Sequence, residues 1–293
     1  MRPMEPLDHE SSLLMCILDL NPTFWKKDAT KFQEFVQDFL LFLSAHILLN
    51  HRNEVAVVGC IGEESAFLHP TRADSRESEF HDVKDALLLS LSDFLSRGPD
   101  LAGAASPSFA LSAALSRALC HINRRLRESR PSTDQQGSLH PPLHPRILVV
   151  TATPDTSHQY IPVMNCIFSA QKMDILVDAC VLGDADSVFL QQAAHITHGV
   201  YTKPPKNESL AQHLVFNYLA PSSARQLMTM PPQPAVEYRA ACFCHKQPVD
   251  IAFVCTVCFS IFCEFSPMCA TCRSKIPLAP LPKKSRSRAK LKE

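Results

Sequence analysis

Leu13-Leu14-Met15-Cys16-Ile17-Leu18-Asp19-Leu20-Asn21-Pro22-Thr23 is a short apolar run that ends in an acid and passes into a polar loop. A strand with one wet face alternates apolar and polar side chains. An unbroken apolar run predicts a strand covered on both faces, over residues 13–19. Residues 20–25 then form the loop at its C-terminal edge. Beyond it, Phe32, Phe35, Val36, Phe39, Leu40, Leu43 and Ile47 recur at three- and four-residue steps. That spacing predicts a long amphipathic helix over residues 26–49. EVAVVGCI, residues 54–61, reads as a second buried strand. SAFLH, residues 65–69, reads as a third, joined to the second through Gly62-Glu63-Glu64 as a hairpin.

The same alternation runs on. The apolar spacing predicts helices over residues 81–97 and 109–126, and RILVVT at 146–151 reads as a strand. A helix over 159–173, a strand over 174–182, a helix over 187–197, a short strand over 200–203 and a last helix over 207–219 follow. Between 127 and 145 the chain is poor in apolar residues and rich in proline, serine and histidine, as a solvated insertion is. Alternating strands and helices predict an α/β fold. Its sheet is mainly parallel, with helices on both faces and one antiparallel edge strand from the hairpin. The expected organisation is a disordered lead-in at 1–11, this α/β domain at 12–222 and a linker at 223–237 stiffened by Pro231-Pro232-Gln233-Pro234. A small finger at 238–275 and a basic tail at 276–293 complete it.

The finger rests on cysteine spacing. Seven of the 12 cysteines fall between residues 242 and 272. Cys255-x-x-Cys258 and Cys269-x-x-Cys272 have the gap at which one tight turn aims two thiolates at one ion. Two such turns complete a tetrahedral zinc site with no open position for water, a structural site rather than a hydrolytic one. The expected ligands are Cys255, Cys258, Cys269 and Cys272. Whether Cys242, Cys244 and Cys263, with His245, hold a second ion stays open; Cys263 stands alone, and Cys242-x-Cys244 is a tight gap. A disulfide framework is the alternative, but the N-terminus does not read as a secretory signal, and disulfides need an oxidising compartment. Cys16, Cys60, Cys120, Cys166 and Cys180 sit singly in apolar runs and read as small buried hydrophobes.

Charge and motifs narrow the function. The chain of 293 residues carries 29 basic and 29 acidic side chains, so it lacks the overall positive charge of a nucleic-acid-binding protein. Positive charge gathers only in the tail, Lys283 to Lys292. No apolar run reaches the ~18 residues of a membrane span, the nearest, at 39–49, being broken by Ser44 and His46. A soluble intracellular protein is expected. Phosphate-binding glycine loops, a G-x-S-x-G nucleophile turn and an H-E-x-x-H metal helix are all absent from the sequence. His121, His158, His195, His198 and His213 are scattered singly, and Asp174 and Asp178 read as strand-end or turn acids. No catalytic constellation emerges.

The loop after the first strand resembles the metal-binding loop of von Willebrand A domains, an Asp-x-Ser-x-Ser. Here Asp19 matches, Asn21 replaces the first serine and Thr23 stands for the second. Ser106 and Ser108 stand for a further hydroxyl, but Thr151-Ala152-Thr153 occupies the loop where a distal acid is expected. Magnesium demands octahedral oxygen ligands. Asp19 is expected instead to cap the neighbouring loop.

Tyr238-Arg239-Ala240-Ala241-Cys242-Phe243-Cys244-His245, Phe253-Val254-Cys255-Thr256-Val257-Cys258 and Ser260-Ile261-Phe262-Cys263 carry a closer resemblance. With Leu18-Asp19-Leu20-Asn21-Pro22 and Arg146-Ile147-Leu148-Val149-Val150, the chain resembles the family of subunit 3 of general transcription factor IIH. The resemblance covers nearly the whole chain except 70–80 and 127–145. It implies a von Willebrand A-like fold with a zinc finger, in a non-catalytic nuclear scaffold subunit of the IIH core. That complex acts in RNA polymerase II transcription initiation and nucleotide excision repair. The implied partner is the other von Willebrand A-type zinc subunit, with nucleic acid met only through the complex. Two other readings compete: direct nucleic-acid binding through the basic tail, and a ubiquitin-ligase-type finger with two zinc ions.

Overall fold

The computed structural model describes residues 11–25, 29–69, 80–96, 109–129, 143–205, 208–236, 238–239, 242–245 and 249–275. The chain divides into two compact units, Met1–Glu237 and Tyr238–Glu293. The first is built on β1 (Ser11–Asp19), β2 (Glu54–Ile61), β3 (Glu64–His69), β4 (Leu143–Thr151), β5 (Leu176–Val181) and β6 (Tyr201–Thr202). They form one sheet in the order β3-β2-β1-β4-β5-β6. All neighbours are parallel except β2 and β3, the hairpin, which are antiparallel. The first strand therefore lies inside the sheet, and every one of its residues is buried.

Successive side chains of a strand point to opposite faces. Met15 and Ile17 of β1, Val58 of β2 and Val149 of β4 share one face. It is covered by α4 (Leu111–Glu128), α5 (Tyr160–Lys172) and α6 (Val188–Thr197), through residues such as Leu115, Ile167 and Leu190. Cys16, Leu18, Val57 and Val150 share the other face. There α2 (Ala29–Leu49), α3 (Phe80–Ser96) and α7 (Leu210–Tyr218) pack. Helix α2 is long and apolar enough to cross a membrane by length and composition, but Phe35, Phe39, Phe42 and Leu43 bury one of its faces against the sheet. It is a core helix of this unit.

Several expectations need correction. Strand β4 begins at Leu143, where Ser11↔Leu143 and Leu13↔Pro145 pair it with β1, and α4 runs on to Glu128. The insertion expected at 127–145 therefore loses both ends to regular structure, because pairing with β1 outweighs the polar composition there. Residues 130–142 lie outside the described residues, as do 1–10, 70–79 and the tail 276–293. The loop at 20–25 contains a helical turn, α1 (Pro22–Trp25). Asp174 is a turn residue, at φ 55°. Asp178 is not a strand-end acid. It sits within β5, is 1% exposed and faces Arg225.

Arg225 belongs to α8 (Ser222–Arg225), inside the stretch read as linker. Its guanidinium grips Asp178 with two bonds of 2.8 and 2.6 Å, while the Val200 N–H donates to the same carboxylate at 2.9 Å. Arg146 of β4 lies nearby and donates to the carbonyls of Tyr218, Leu219 and Ala220. A helix leaves its last carbonyls without partners, and a cation there is favourable. Arg146 thus caps α7 from inside the core. Gly199 is needed by close approach: a Cβ there would meet the Val177 carbonyl at 2.1 Å.

Candidate metal centre

The loop after β1 is tied down by its own acid. Asp19 Oδ2 accepts from the Thr153 N–H at 2.8 Å, the Ala152 N–H at 3.0 Å and the Thr151 hydroxyl at 3.1 Å. Its Oδ1 accepts from the Asn21 N–H, Asn21 Oδ1 accepts from the Thr23 N–H, and the Trp25 indole donates to the Asp19 carbonyl. The carboxylate is 2% exposed and links the loops after β1 and β4. It caps the neighbouring loop, and Asn21 turns its oxygen to the backbone rather than to a cation. Ser106 and Ser108 lie outside the described residues. The next acid, Asp155, accepts from Ser187 Oγ at 2.6 Å and the Phe189 N–H at 3.0 Å, which fastens the α6 N-terminus. Burial raises its pKa.

In the second unit the expected ligands do meet. β7 (Phe253–Val254) and β8 (Ile261–Phe262) form an antiparallel pair. The turn at 256–258 follows β7, and Cys255 N–H donates to the Ser260 carbonyl at 2.9 Å. The turn at 270–272 repeats the pattern: Cys269 N–H donates to the Ser274 carbonyl at 2.9 Å. Phe259 and Arg273, each directly after the second cysteine, take φ values of 58° and 59°. That left-handed backbone reverses the chain and brings the turns face to face. Cys255 Sγ and Cys272 Sγ are 3.7 Å apart, Cys258 Sγ and Cys269 Sγ 3.6 Å, and all four sulfurs lie within 4.8 Å of one another. A tetrahedron of sulfurs about 2.3 Å from zinc has edges of about 3.8 Å. The donor set fits that ion.

Around Cys255 and Cys258 the surroundings favour the thiolate, the form that binds metal. The Ser274 hydroxyl, 3.4 Å away, and the Cys258 and Val257 N–H groups pull the Cys255 thiol down to about 6. The Ser260 hydroxyl, 3.1 Å from Cys258 Sγ, lowers that thiol as well. All 12 cysteines are free of disulfides. Cys242, Cys244, His245 and Cys263 form a second group, their ligand atoms also within 4.8 Å of one another. The sequence left this set open, and Cys242-x-x-His245 has the same gap as the two Cys-x-x-Cys pairs.

A six-stranded sheet in the order β3-β2-β1-β4-β5-β6, parallel but for its β3 edge and covered by helices on both faces, is a von Willebrand A-like domain. Here it precedes a small unit with cysteine groups that can hold metal. The family model described as transcription factor Tfb4 matches residues 11–273, and the chain belongs to that family. Its relatives include "General transcription factor IIH subunit 3" of Dictyostelium discoideum, 39% identical, with 86% of this chain and 70% of that protein covered. "General transcription and DNA repair factor IIH subunit TFB4" of Arabidopsis thaliana is 36% identical over 90% of this chain and 88% of its own length. Among solved structures, the TFIIH p34 N-terminal domain superposes with a TM-score of 0.63 at 28% identity, covering 72% of this chain and 99% of that one.

Proposed function

We propose that the protein is a non-catalytic scaffold subunit of the core of the general transcription and DNA repair factor IIH. It acts there in RNA polymerase II initiation and nucleotide excision repair, in the nucleus. The carrying observation is the family match over residues 11–273, in which both units take part. The residues support a structural role. Asp19, Asp155 and Asp178, the acids that reach into the sheet's loops and core, each hold backbone or an arginine in place. Cys255, Cys258, Cys269 and Cys272 hold one structural zinc ion, because four thiolates close the tetrahedron and leave no position for a substrate. The small unit presents Ile251, Val257, Phe259 and Met268 to solvent, each more than half exposed. In this reading a partner subunit covers them.

The partner in this reading is the other von Willebrand A-type zinc subunit, and DNA is met only through the assembly. Affinity purification of the tagged full chain, with identification of what comes with it, tests the reading. IIH core subunits are expected. Their absence, together with retention of duplex DNA that weakens steeply with salt and is lost on removing residues 283–292, would replace the scaffold with a nucleic-acid-binding protein.

A further inference from the structure

We propose that Cys242, Cys244, His245 and Cys263 form a second zinc site, of three thiolates and one imidazole. The small unit then carries two ions whose ligand sets alternate along the chain.

Distances make the first argument. Cys244 Sγ is 3.3 Å from Cys263 Sγ, His245 Nδ1 is 3.2 Å from Cys263 Sγ, and Cys242 Sγ is 3.9 Å from His245 Nδ1. In a tetrahedral zinc site the sulfur–sulfur edge is about 3.8 Å and the sulfur–nitrogen edge about 3.6 Å, from bond lengths of about 2.3 and 2.05 Å. The two sulfur–nitrogen edges, 3.2 and 3.9 Å, bracket the ideal value, and the 3.3 Å sulfur–sulfur edge is shorter than its ideal. A disulfide between Cys244 and Cys263 requires about 2.05 Å and leaves Cys242 and His245 converging on nothing.

The turns make the second. Residues 243–245 form a turn directly after Cys242, as 256–258 do after Cys255 and 270–272 after Cys269. His245 N–H points at Cys242 Sγ at 3.4 Å, and Cys272 N–H points at Cys269 Sγ at 3.5 Å. The first turn therefore repeats the geometry of a turn whose thiolates converge on the first site. It delivers Nδ1 of His245 where the others deliver a second sulfur, with Cys244 as an added donor between them.

Cys263 arrives by way of β8. Phe243 N–H donates to the Ile261 carbonyl at 2.8 Å, which lays the first turn along β8. Cys263 follows β8 directly, so this bond sets it beside Cys244. Along the chain, Cys242, Cys244 and His245 serve the second site and Cys255 and Cys258 the first. Cys263 then serves the second, and Cys269 and Cys272 the first. The loop that closes the first site thus supplies the fourth ligand of the second. Thiolate with imidazole is a donor set suited to zinc, and four protein ligands make it a closed, structural site.

The test is metal content of the purified full chain under reducing conditions, by native mass spectrometry. The wild type should hold two zinc ions, Cys263→Ser one, and His245→Cys two. Loading with cobalt gives a second readout. The visible bands of the wild type should combine a four-sulfur and a three-sulfur, one-nitrogen site, and His245→Cys should shift them wholly to the four-sulfur form. If Cys263→Ser fails to fold, the His245→Cys spectrum still decides, since an unchanged spectrum removes His245 as a ligand and overturns the proposal. A wild type with one ion that Cys255→Ser abolishes and Cys263→Ser keeps also overturns it, and leaves the first site intact. So does a Cys244–Cys263 disulfide persisting in reductant. Two ions in a chain that captures no IIH subunit would instead sink the scaffold reading alone.

Discussion

The two units are held together by different physics. In the α/β unit the sheet buries apolar side chains on both faces, and its few buried charges bond to backbone or to an opposite charge inside that core. In the small unit the buried cluster is Cys255, Phe262 and Cys269, with Phe243 and Cys258 packed against it. A segment this short cannot offset its chain entropy by apolar burial, and in the proposed reading metal ligation supplies what the core lacks. The larger unit should therefore respond to loss of packing and pairing, and the smaller one to loss of metal.

Cys255→Ser sharpens the contrast most. Structural zinc contributes roughly 10–16 kcal/mol of apparent binding energy in small fingers, so amides over 249–275 should lose protection from hydrogen exchange. Sheet content by circular dichroism should hold, and co-purification of partner subunits should weaken. Unchanged co-purification would remove the finger from the interface.

Next is Asp178→Ala. It strands Arg225, whose side chain is 8% exposed, and leaves the Val200 N–H without its acceptor. Breaking a buried pair from one side costs about 3–5 kcal/mol. The unfolding free energy of the larger unit from urea titration should fall by that much while zinc content stays at the wild-type value. A parallel loss of zinc would break the separation between the units.

Asp19→Ala should cost about 2–3 kcal/mol, because it removes a charged acceptor from the Ala152 and Thr153 N–H groups. Added magnesium should leave the wild-type melting temperature unchanged; a rise would restore a cation to that loop.

A pH dependence accumulates more gradually. Burial first, and Arg146 second, pull His46 down to about 3 from its ordinary value of 6.5. Below about pH 6.5 the unfolded chain takes up a proton that the folded chain refuses. Stability present above that pH then declines by at most about 1.4 kcal/mol per unit, until the folded group titrates. His46→Gln should flatten the profile of urea midpoints between pH 6.5 and 4.

The relation of sequence to structure also differs between the units. The apolar run at 13–19 predicts a buried strand, and β1 is one, because burial on both faces shows in consecutive residues. Composition misled at 143–145, where pairing with β1 makes a strand of Leu143-His144-Pro145. The Cys-x-x-Cys gaps put two sulfurs on each turn, and the structure brings those four sulfurs within 4.8 Å of one another. The second group stayed open in the sequence, because Cys263 arrives from another segment and spacing does not show what it meets.

What the sequence by itself determined is therefore what neighbouring residues can carry: strand and helix periods, the order of elements, and the ligands that share a turn. Only the tertiary structure decided which distant groups meet. Arg225 meets Asp178 across 47 residues, and Asp19 meets Thr153 across 134. Cys263 joins Cys244 across 19. Such meetings leave no local period, because they depend on the path of the whole chain through the sheet and the paired strands.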